Sequence, residues 1–186
     1  MEPSYVPRST QTAHQLACDV IRILRESNLT LGVAESLTGG GLMAALTAVE
    51  GCSDVFRGGA VSYATPLKQH LLDVDGDLIL ENGVIDGEVA AQMAQGARTS
   101  TSRGMRPTSW GVGTTGVAGP DEQEEKPVGT VYIGVANADR RRWFGPFRFP
   151  GSRERVREAT VIEALSLLKR ELQRARGEGV VCRCAC

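Results

Sequence analysis

One lysine of the sequence, Lys68, lies where it could act as a catalytic base. A hydrolase can use a lysine amine to activate a serine, provided the amine is partly desolvated so that its pKa falls toward neutrality. Of the three lysines, Lys126 lies among carboxylates that favour its charged form, and Lys169 lies near the end of a long predicted helix. Lys68 instead follows the predicted strand 58–63 by about one helical turn. We predict Lys68 as the base, and a solvated helical lysine is the alternative.

Hydroxyl groups close to Lys68 in the sequence could supply a nucleophile or relay a proton. Tyr63 ends the strand, and Ser53 and Ser62 lie nearby. A Ser-His-Asp triad would need His14 or His70, the only histidines, and neither lies near a predicted strand end. Both are predicted to lie on the surface. No GxSxG motif occurs.

A second candidate site is the turn that leads from the predicted strand 29–35 into a short helix at 42–49. The turn carries Ser36 and Thr38, followed by three glycines. Backbone N–H groups at a helix start, together with the two hydroxyls, could bind an anion. An ordinary helix start is the alternative.

The stretch GVGTTG at 111–116 matches the GxGxxG pattern of dinucleotide-binding turns. That function requires a helix directly after the glycines, and the following residues, up to Pro127, show no apolar periodicity. The match therefore argues only weakly for an NAD-dependent oxidoreductase. The glycines could simply shape a loop, or bring Thr114, Thr115 and backbone N–H groups against a ligand.

The elements that would position these residues alternate between strands and helices. Strands are predicted at 29–35, 58–63, 110–114, 128–138 and 142–149, and helices at 10–27, 42–49, from 65, 86–98 and 152–174. Thr65, Asp86 and Ser152 are predicted N-caps. This alternation predicts one α/β domain with helices on both faces of the sheet, and the last two strands form an antiparallel hairpin. The predicted division is a flexible N-terminus at 1–9, the domain at 10–175 and a flexible, cysteine-containing tail at 176–186.

Composition excludes several functions. The net charge of −1 and the 5% aromatic content argue against nucleic acid or membrane binding. No apolar run is long enough for a membrane span, and the N-terminus lacks a secretory h-region, so we expect a cytoplasmic protein. Cys18 and Cys52 are expected to be buried apolar side chains, and the CRCAC tail lacks the usual spacing of a zinc site.

Several motifs in order resemble the CinA C-terminal domain, the nicotinamide-nucleotide amidase family, over roughly residues 12–172. The family's AESCTGG corresponds to residues 34–40, its GxVSYxxxxK to residues 59–68, its SGIAGP and EKPVGTVY to residues 115–120 and 125–132, and its GDR to residues 151–153. The resemblance implies a three-layer α/β/α sandwich with a mixed, mostly parallel sheet of about five strands, commonly as a homodimer. It also implies hydrolysis of nicotinamide mononucleotide to nicotinate mononucleotide and ammonia, without cofactor or metal.

The resemblance also implies which residues carry the reaction. The catalytic positions would be Ser53, Lys68, Tyr63 and Ser36. We expect Ser53 to attack the amide carbon, with Lys68 as base and Tyr63 relaying the proton, although the sequence does not separate Ser53 from Ser36 as nucleophile. Substrate would be bound by Thr38, Gly39, Gly40, Thr115, Gly116 and Arg153, with Arg153 on the phosphate.

The chain departs from the family motifs at three positions. Leu37 replaces Cys, Thr115 replaces Ser but keeps the hydroxyl, and Ser152 replaces the Asp before Arg153. The last change removes a charge that could orient Arg153. A non-catalytic nucleotide-binding or regulatory protein with the same fold is therefore the alternative function.

Overall fold

The computed structural model describes residues 9–102, 104 and 106–181, with side chains as far as residue 177. Its strands are β1 (Leu31–Glu35), β2 (Phe56–Val61), β3 (Trp110–Gly116), β4 (Thr130–Ala136) and β5 (Arg141–Arg148). Its α-helices are α1 (Ala13–Glu26), α2 (Gly41–Thr47), α3 (Thr65–Leu72), α4 (Gly76–Asn82), α5 (Gly87–Ser100) and α6 (Arg153–Val181). A short 3-10 helix, Cys52–Asp54, precedes β2.

The five strands form one mixed sheet in the order β2-β1-β3-β4-β5. β1 runs parallel to both β2 and β3, whereas β4 pairs antiparallel with β3 and with β5. Four strands therefore point the same way and β4 runs against them. The carboxyl ends of β1, β2 and β3 meet at one edge of the sheet.

Helices cover both faces of this sheet, which makes the fold the expected three-layer α/β/α sandwich. α1, α2 and α6 pack together on one face, over a core that includes Leu24, Val33 and Leu165. α3 and α5 pack on the other face, where Ile79 of α4 and Met93 of α5 join a second core. Among the described residues, no helix is both long and apolar enough to cross a bilayer.

The GVGTTG stretch is a central strand and not a loop. Residues 110–116 form β3, and the next helix of the described chain is α6, so the geometry of a dinucleotide-binding turn is missing. Its glycines let α5 approach the sheet closely. A Cβ on Gly111 would lie 2.0 Å from the Ala94 carbonyl oxygen, and one on Gly134 of β4 would lie 1.9 Å from that of Ala90.

Some element boundaries differ from the sequence prediction. α4 lies at 76–82, where no element was predicted. α3 starts one residue early, so Ala64 and not Thr65 is its N-cap, while Asp86 caps α5 as predicted by accepting from two backbone N–H groups. α6 continues to Val181, into the predicted tail.

Residues 1–8 and the cysteines of the tail lie outside the described residues. Cys18 and Cys52 are only half-buried.

Candidate active site

Residues from four separate segments surround one cavity at the carboxyl edge of the sheet. Ser36 follows β1, Lys68 lies on α3 after β2, Thr115 and Gly116 end β3, and Arg153 begins α6. The cavity has a volume of about 180 Å³. Ligands of open α/β sheets commonly bind outside the carboxyl ends of the strands, so this is the expected place for a site.

Lys68 and Ser36 form the polar centre of this cavity. The Lys68 side chain is 1% exposed, and its Nζ lies 3.2 Å from Ser36 Oγ. The same Nζ donates to the carbonyl oxygen of Ser62 at 2.8 Å and lies 3.5 Å from that of Tyr63. A neutral amine has two N–H groups and one lone pair. If the two carbonyls take the N–H groups, the lone pair faces the Ser36 hydroxyl.

Burial sets the acidity of this amine. It lowers the pKa of Lys68 to about 8, because the charged form loses its hydration, while the carboxylate of Glu124 acts in the opposite direction. No carboxylate among the described residues forms an ion pair with Lys68. A fraction of the molecules therefore carries the neutral, basic form near neutral pH.

A carboxylate of the chain itself occupies the start of α2, which favours the ordinary helix start of the two interpretations of this turn. The carboxylate of Glu35 is completely buried and accepts from the backbone N–H groups of Gly40 (2.9 Å), Leu42 (3.1 Å) and Met43 (2.7 Å). The N–H of Gly41 donates to the Thr38 carbonyl oxygen. Glu35 is thus an internal anion at the positive end of α2.

Three residues of this turn that were predicted to bind substrate do not line the cavity. The hydroxyls of Thr38 and Thr114 are hydrogen-bonded at 2.9 Å, and both residues are buried. The N–H of Gly40 is bound to Glu35, and Gly39 is exposed beside the guanidinium of Arg157. These residues shape the turn that carries Ser36.

Thr115 and Gly116 do line the cavity, but the Thr115 hydroxyl already has a partner. It donates to the carbonyl oxygen of Val84 at 2.6 Å. This bond ties β3 to the segment between α4 and α5. The Thr115 oxygen can therefore accept a hydrogen bond from a ligand, but its proton is occupied.

Tyr63 and Arg153 stand together at the mouth of the cavity. Arg153 donates to the Tyr63 hydroxyl and to the carbonyl oxygen of Gly119, both at 2.6 Å. Arg153 is exposed and forms no ion pair among the described residues, so its charge is available to a ligand. Ser152 caps α6 by accepting from the Arg155 N–H at 3.4 Å. Arg153 is therefore oriented by Tyr63 and Gly119 without the family's aspartate.

The structure does not bring Ser53 to Lys68. Ser53 is exposed in the 3-10 helix before β2, at the amino end of the parallel strands. Ser36 and Lys68 lie beyond the opposite ends of these strands. At about 3.3 Å per residue, the strand length alone separates Ser53 from the cavity by roughly 15 Å.

Three contributors were not predicted from the sequence. Glu35 anchors the turn of Ser36, and a carboxylate just before a glycine-rich helix start was the available signal. Glu124, four residues beyond Pro120, contacts the backbone of Val84 and Ile85, and no pattern in the sequence indicates it. Leu37 lines the cavity, and its backbone N–H has no hydrogen-bond partner within the described part of the chain.

The fold and the site define an α/β protein with a buried lysine beside a half-buried serine at the carboxyl edge of a mixed sheet. The family model "CinA C-terminal domain" matches residues 13–172. The chain belongs to the CinA C-terminal domain family.

Relatives and solved structures agree with this assignment. A CinA-like protein of Frankia casuarinae is 45% identical over 153 residues, which is 82% of this chain and 34% of that protein. A second, from Parasynechococcus marenigrum, is 43% identical over 166 residues, or 87% and 38% of the two chains. This chain thus spans about a third of the length of these relatives.

A competence/damage-inducible protein from Agrobacterium tumefaciens matches with a TM-score of 0.79 at 30% identity, covering 89% of this chain and 99% of that one. A CinA superfamily protein from Klebsiella pneumoniae matches with a TM-score of 0.82 at 27% identity, covering 88% and 99%.

Proposed function

We propose that this protein is an amidohydrolase that converts nicotinamide mononucleotide to nicotinate mononucleotide and ammonia. The observation that carries the proposal is the buried Lys68 amine 3.2 Å from the Ser36 hydroxyl. A desolvated lysine beside a serine can activate that serine for attack on an amide. The choice of substrate comes from the family motifs.

Ser36, and not Ser53, is the proposed nucleophile. Neutral Lys68 removes the proton of Ser36 as Oγ bonds to the carboxamide carbon. The π electrons of the carboxamide C=O bond move to the carboxamide oxygen, which gives a tetrahedral intermediate. Collapse of this tetrahedral intermediate breaks the C–N bond, and the proton on Lys68 goes to the departing nitrogen, so ammonia leaves. The product of this half-reaction is an ester on Ser36, with Lys68 neutral again.

Water then hydrolyses the ester by the same route. Lys68 takes a proton from a water molecule as its oxygen bonds to the ester carbon. When the ester bond breaks, the proton returns to Ser36 Oγ and the carboxylic acid is released, ionising in solution. One amide and one water are consumed, and one carboxylate and one ammonium are formed at neutral pH.

The free N–H of Leu37 is the proposed donor to the oxyanion. It belongs to the residue that follows the nucleophile, which is a common arrangement in acyl transfer. The hydroxyl of Tyr63 accepts from Arg153, so its own proton is free to contact the substrate. Because Tyr63 stands at the mouth beside Arg153, this proton can contact the part of the substrate that lies there.

Arg153 is the proposed phosphate contact. A guanidinium has five N–H groups, and two of those of Arg153 are already used, which leaves donors toward the opening. The cavity of about 180 Å³ is smaller than the roughly 300–1,000 Å³ of pockets that enclose a whole ligand. We expect the pyridine ring and carboxamide inside and the ribose phosphate at the mouth, near Arg153.

Ammonia release from nicotinamide mononucleotide by the purified protein tests the proposal. We expect stoichiometric ammonia and nicotinate mononucleotide. A folded sample that releases no ammonia would contradict it. If such a sample were still stabilised thermally by the nucleotide, the non-catalytic nucleotide-binding function would replace the amidase.

A further inference from the structure

A loop rich in carboxylates forms one wall of the cavity. This acidic loop, residues 121–126, connects β3 to β4 beyond Pro120. Asp121 and Gln123 line the cavity. The N–H of Gln123 and the N–H of Lys126 each donate to the other residue's carbonyl oxygen, so the loop turns tightly back on itself.

One side chain of the loop, that of Glu124, contacts the segment that precedes α5. The two carboxylate oxygens of Glu124 accept from the backbone N–H groups of Val84 (3.1 Å) and Ile85 (3.2 Å). Val84 and Ile85 also line the cavity. Glu124 therefore joins two walls of the cavity, one from the acidic loop and one from the segment between α4 and α5.

The segment between α4 and α5 is shaped to receive this carboxylate. Gly83 has a φ of +76°, and a Cβ at this position would lie 2.2 Å from Glu124 Oε2. A larger residue at position 83 would thus push the carboxylate away. Lys126 adds a second contact nearby, since it donates to the carbonyl oxygen of Asn82, the last residue of α4, at 3.1 Å.

The charge of Glu124 also reaches the proposed base. It is the carboxylate that acts against burial at Lys68. Within the described residues, no lysine or arginine forms an ion pair with Glu124. Tyr63, Asp121 and Arg153 are the other ionisable groups that line the cavity with Lys68.

We propose that Glu124 is a positioning residue for the amidase reaction, fastening the acidic loop across the cavity so that the ligand is held between its walls. The inference rests on the proposed function for its kinetic consequences. The latch itself, meaning the contact of Glu124 with Val84 and Ile85, exists without substrate. It can therefore be tested separately from catalysis.

Kinetics of Glu124→Gln form the first arm of the test. The amide can accept from only one of the two N–H groups, so we expect KM to rise about tenfold, with a smaller change in kcat. Because the negative charge near Lys68 is lost, the pH midpoint of kcat/KM should move to lower pH. Glu125→Gln is the matched control: Glu125 is the next residue, is exposed, and also has a positive φ. It should leave KM and the midpoint unchanged.

Two measurements without substrate form the second arm. In Glu124→Gln, amide hydrogen exchange of Val84 and Ile85 should accelerate at least tenfold. The Lys68 ¹³Cε resonance should titrate at lower pH than in the wild type. The chain has only three lysines, which simplifies this assignment. Neither change is expected in Glu125→Gln.

Unchanged exchange at Val84 and Ile85 would overturn the latch whatever the ammonia assay shows, and an unchanged Lys68 titration would overturn the effect of the Glu124 charge on the base. Global unfolding of Glu124→Gln in thermal melting would also overturn the latch, since an exposed loop latch should not control the whole fold. Absence of ammonia release in the wild type would instead remove the proposed function. The two failures are therefore distinguishable.

Discussion

Lys68 owes its chemistry to its surroundings more than to its side chain. Two carbonyl oxygens and one hydroxyl surround its buried nitrogen, and no carboxylate is paired with it among the described residues. Sequence reasoning could select this lysine because it follows a strand and the other two do not. It could not measure the burial, which depends on residues distant in the chain, such as Val84 and Thr115.

Separation along the sequence does not decide whether Ser36 or Ser53 reaches Lys68. Ser53 is nearer to Lys68 in the sequence, but β2 runs between them and carries them to opposite edges of the sheet. Ser36 is 32 residues from Lys68 and follows the neighbouring parallel strand. The direction of the strands, and not the separation along the chain, determines which serine reaches the amine.

Alanine substitutions at the two serines test this assignment. Ser36→Ala should lower kcat for ammonia release by about 10³-fold or more, because the nucleophile is lost. Ser53→Ala removes an exposed hydroxyl at the far edge and should keep the wild-type rate. Equal rates for wild type and Ser36→Ala, with Ser53→Ala inactive, would reverse the assignment.

The pH dependence of catalysis should follow the ionisation of Lys68. Burial lowers its pKa to about 8, and only the neutral amine can take the serine proton. We therefore expect kcat/KM to fall about tenfold per pH unit below pH 8 and to level off above it. A profile that is flat between pH 6 and 9, measured on a protein that stays folded, would exclude Lys68 as the base.

At the scale of elements, α5 packs closely on the sheet because the strand residues beneath it are glycines, which have no side chain. Gly111 and Gly113 of β3 and Gly134 of β4 lie beneath this helix, close to the carbonyl oxygens of Ala90 and Ala94. Sequence reasoning predicted β3 and α5, but it interpreted the glycines as shaping a loop or as bringing backbone N–H groups against a ligand. Their alternate spacing along a strand was the signal, since residues i and i+2 face the same side of a sheet.

A methyl group beneath α5 should therefore be costly. Gly134→Ala places a Cβ 1.9 Å from the Ala90 carbonyl oxygen, so helix and sheet must separate. We expect the free energy of unfolding to fall by about 2 kcal/mol or more in urea denaturation. Gly177→Ala on α6 is the matched control, because nothing lies within 4 Å of its added Cβ, and it should cost no stability. Similar losses in both variants would argue against close packing as the cause.

The elements with strong local patterns were predicted well, and the weaker ones were not. The apolar stripe and the Thr12 capping box define α1, and Asp86 defines the start of α5. α4 was missed because seven residues with Asp75 as N-cap give little periodicity. Its position depends on packing of Ile79 against the second core, which only the folded chain reveals.

At the scale of the whole molecule, the first and last helices pack against each other and so join the two ends of the domain. α1 and α6 lie side by side, and Lys169 Nζ donates to Asp19 at 2.7 Å and to Gln11 at 2.9 Å. The hydrogen bonds from Lys169 and then Gln11 lower the pKa of Asp19 to about 2. Contacts across 150 residues thus stabilise the domain as a unit.

Replacing Asp19 tests how much its contact with Lys169 stabilises the fold. Asp19→Asn should lower the free energy of unfolding at pH 7 by about 1 kcal/mol, because Lys169 loses its partner at a partly exposed site. The carboxylate stabilises the fold above its unfolded pKa near 4, and this contribution is lost as pH falls through 2. The difference from wild type should therefore shrink from pH 4 downward. Glu122→Gln, in the acidic loop, should show no such difference at pH 7.

The homodimer that the family resemblance implies stays a prediction. The described surface carries exposed apolar side chains, including Leu67 and Leu71 of α3 and Leu80 of α4. Light scattering of the purified chain would distinguish one copy from two. The motifs indicate association in the family, but the partner surface depends on side chains that no sequence pattern specified.

The buried carboxylate of Glu35 has a consequence for how the site meets its substrate. Because this internal anion already satisfies the start of α2, the turn that carries Ser36 is complete before any ligand arrives. The entropy of ordering the nucleophile is then part of folding and not of binding. The proposed nucleophile is therefore preorganised, and adjustment on binding is left to side chains at the mouth of the cavity such as Arg153.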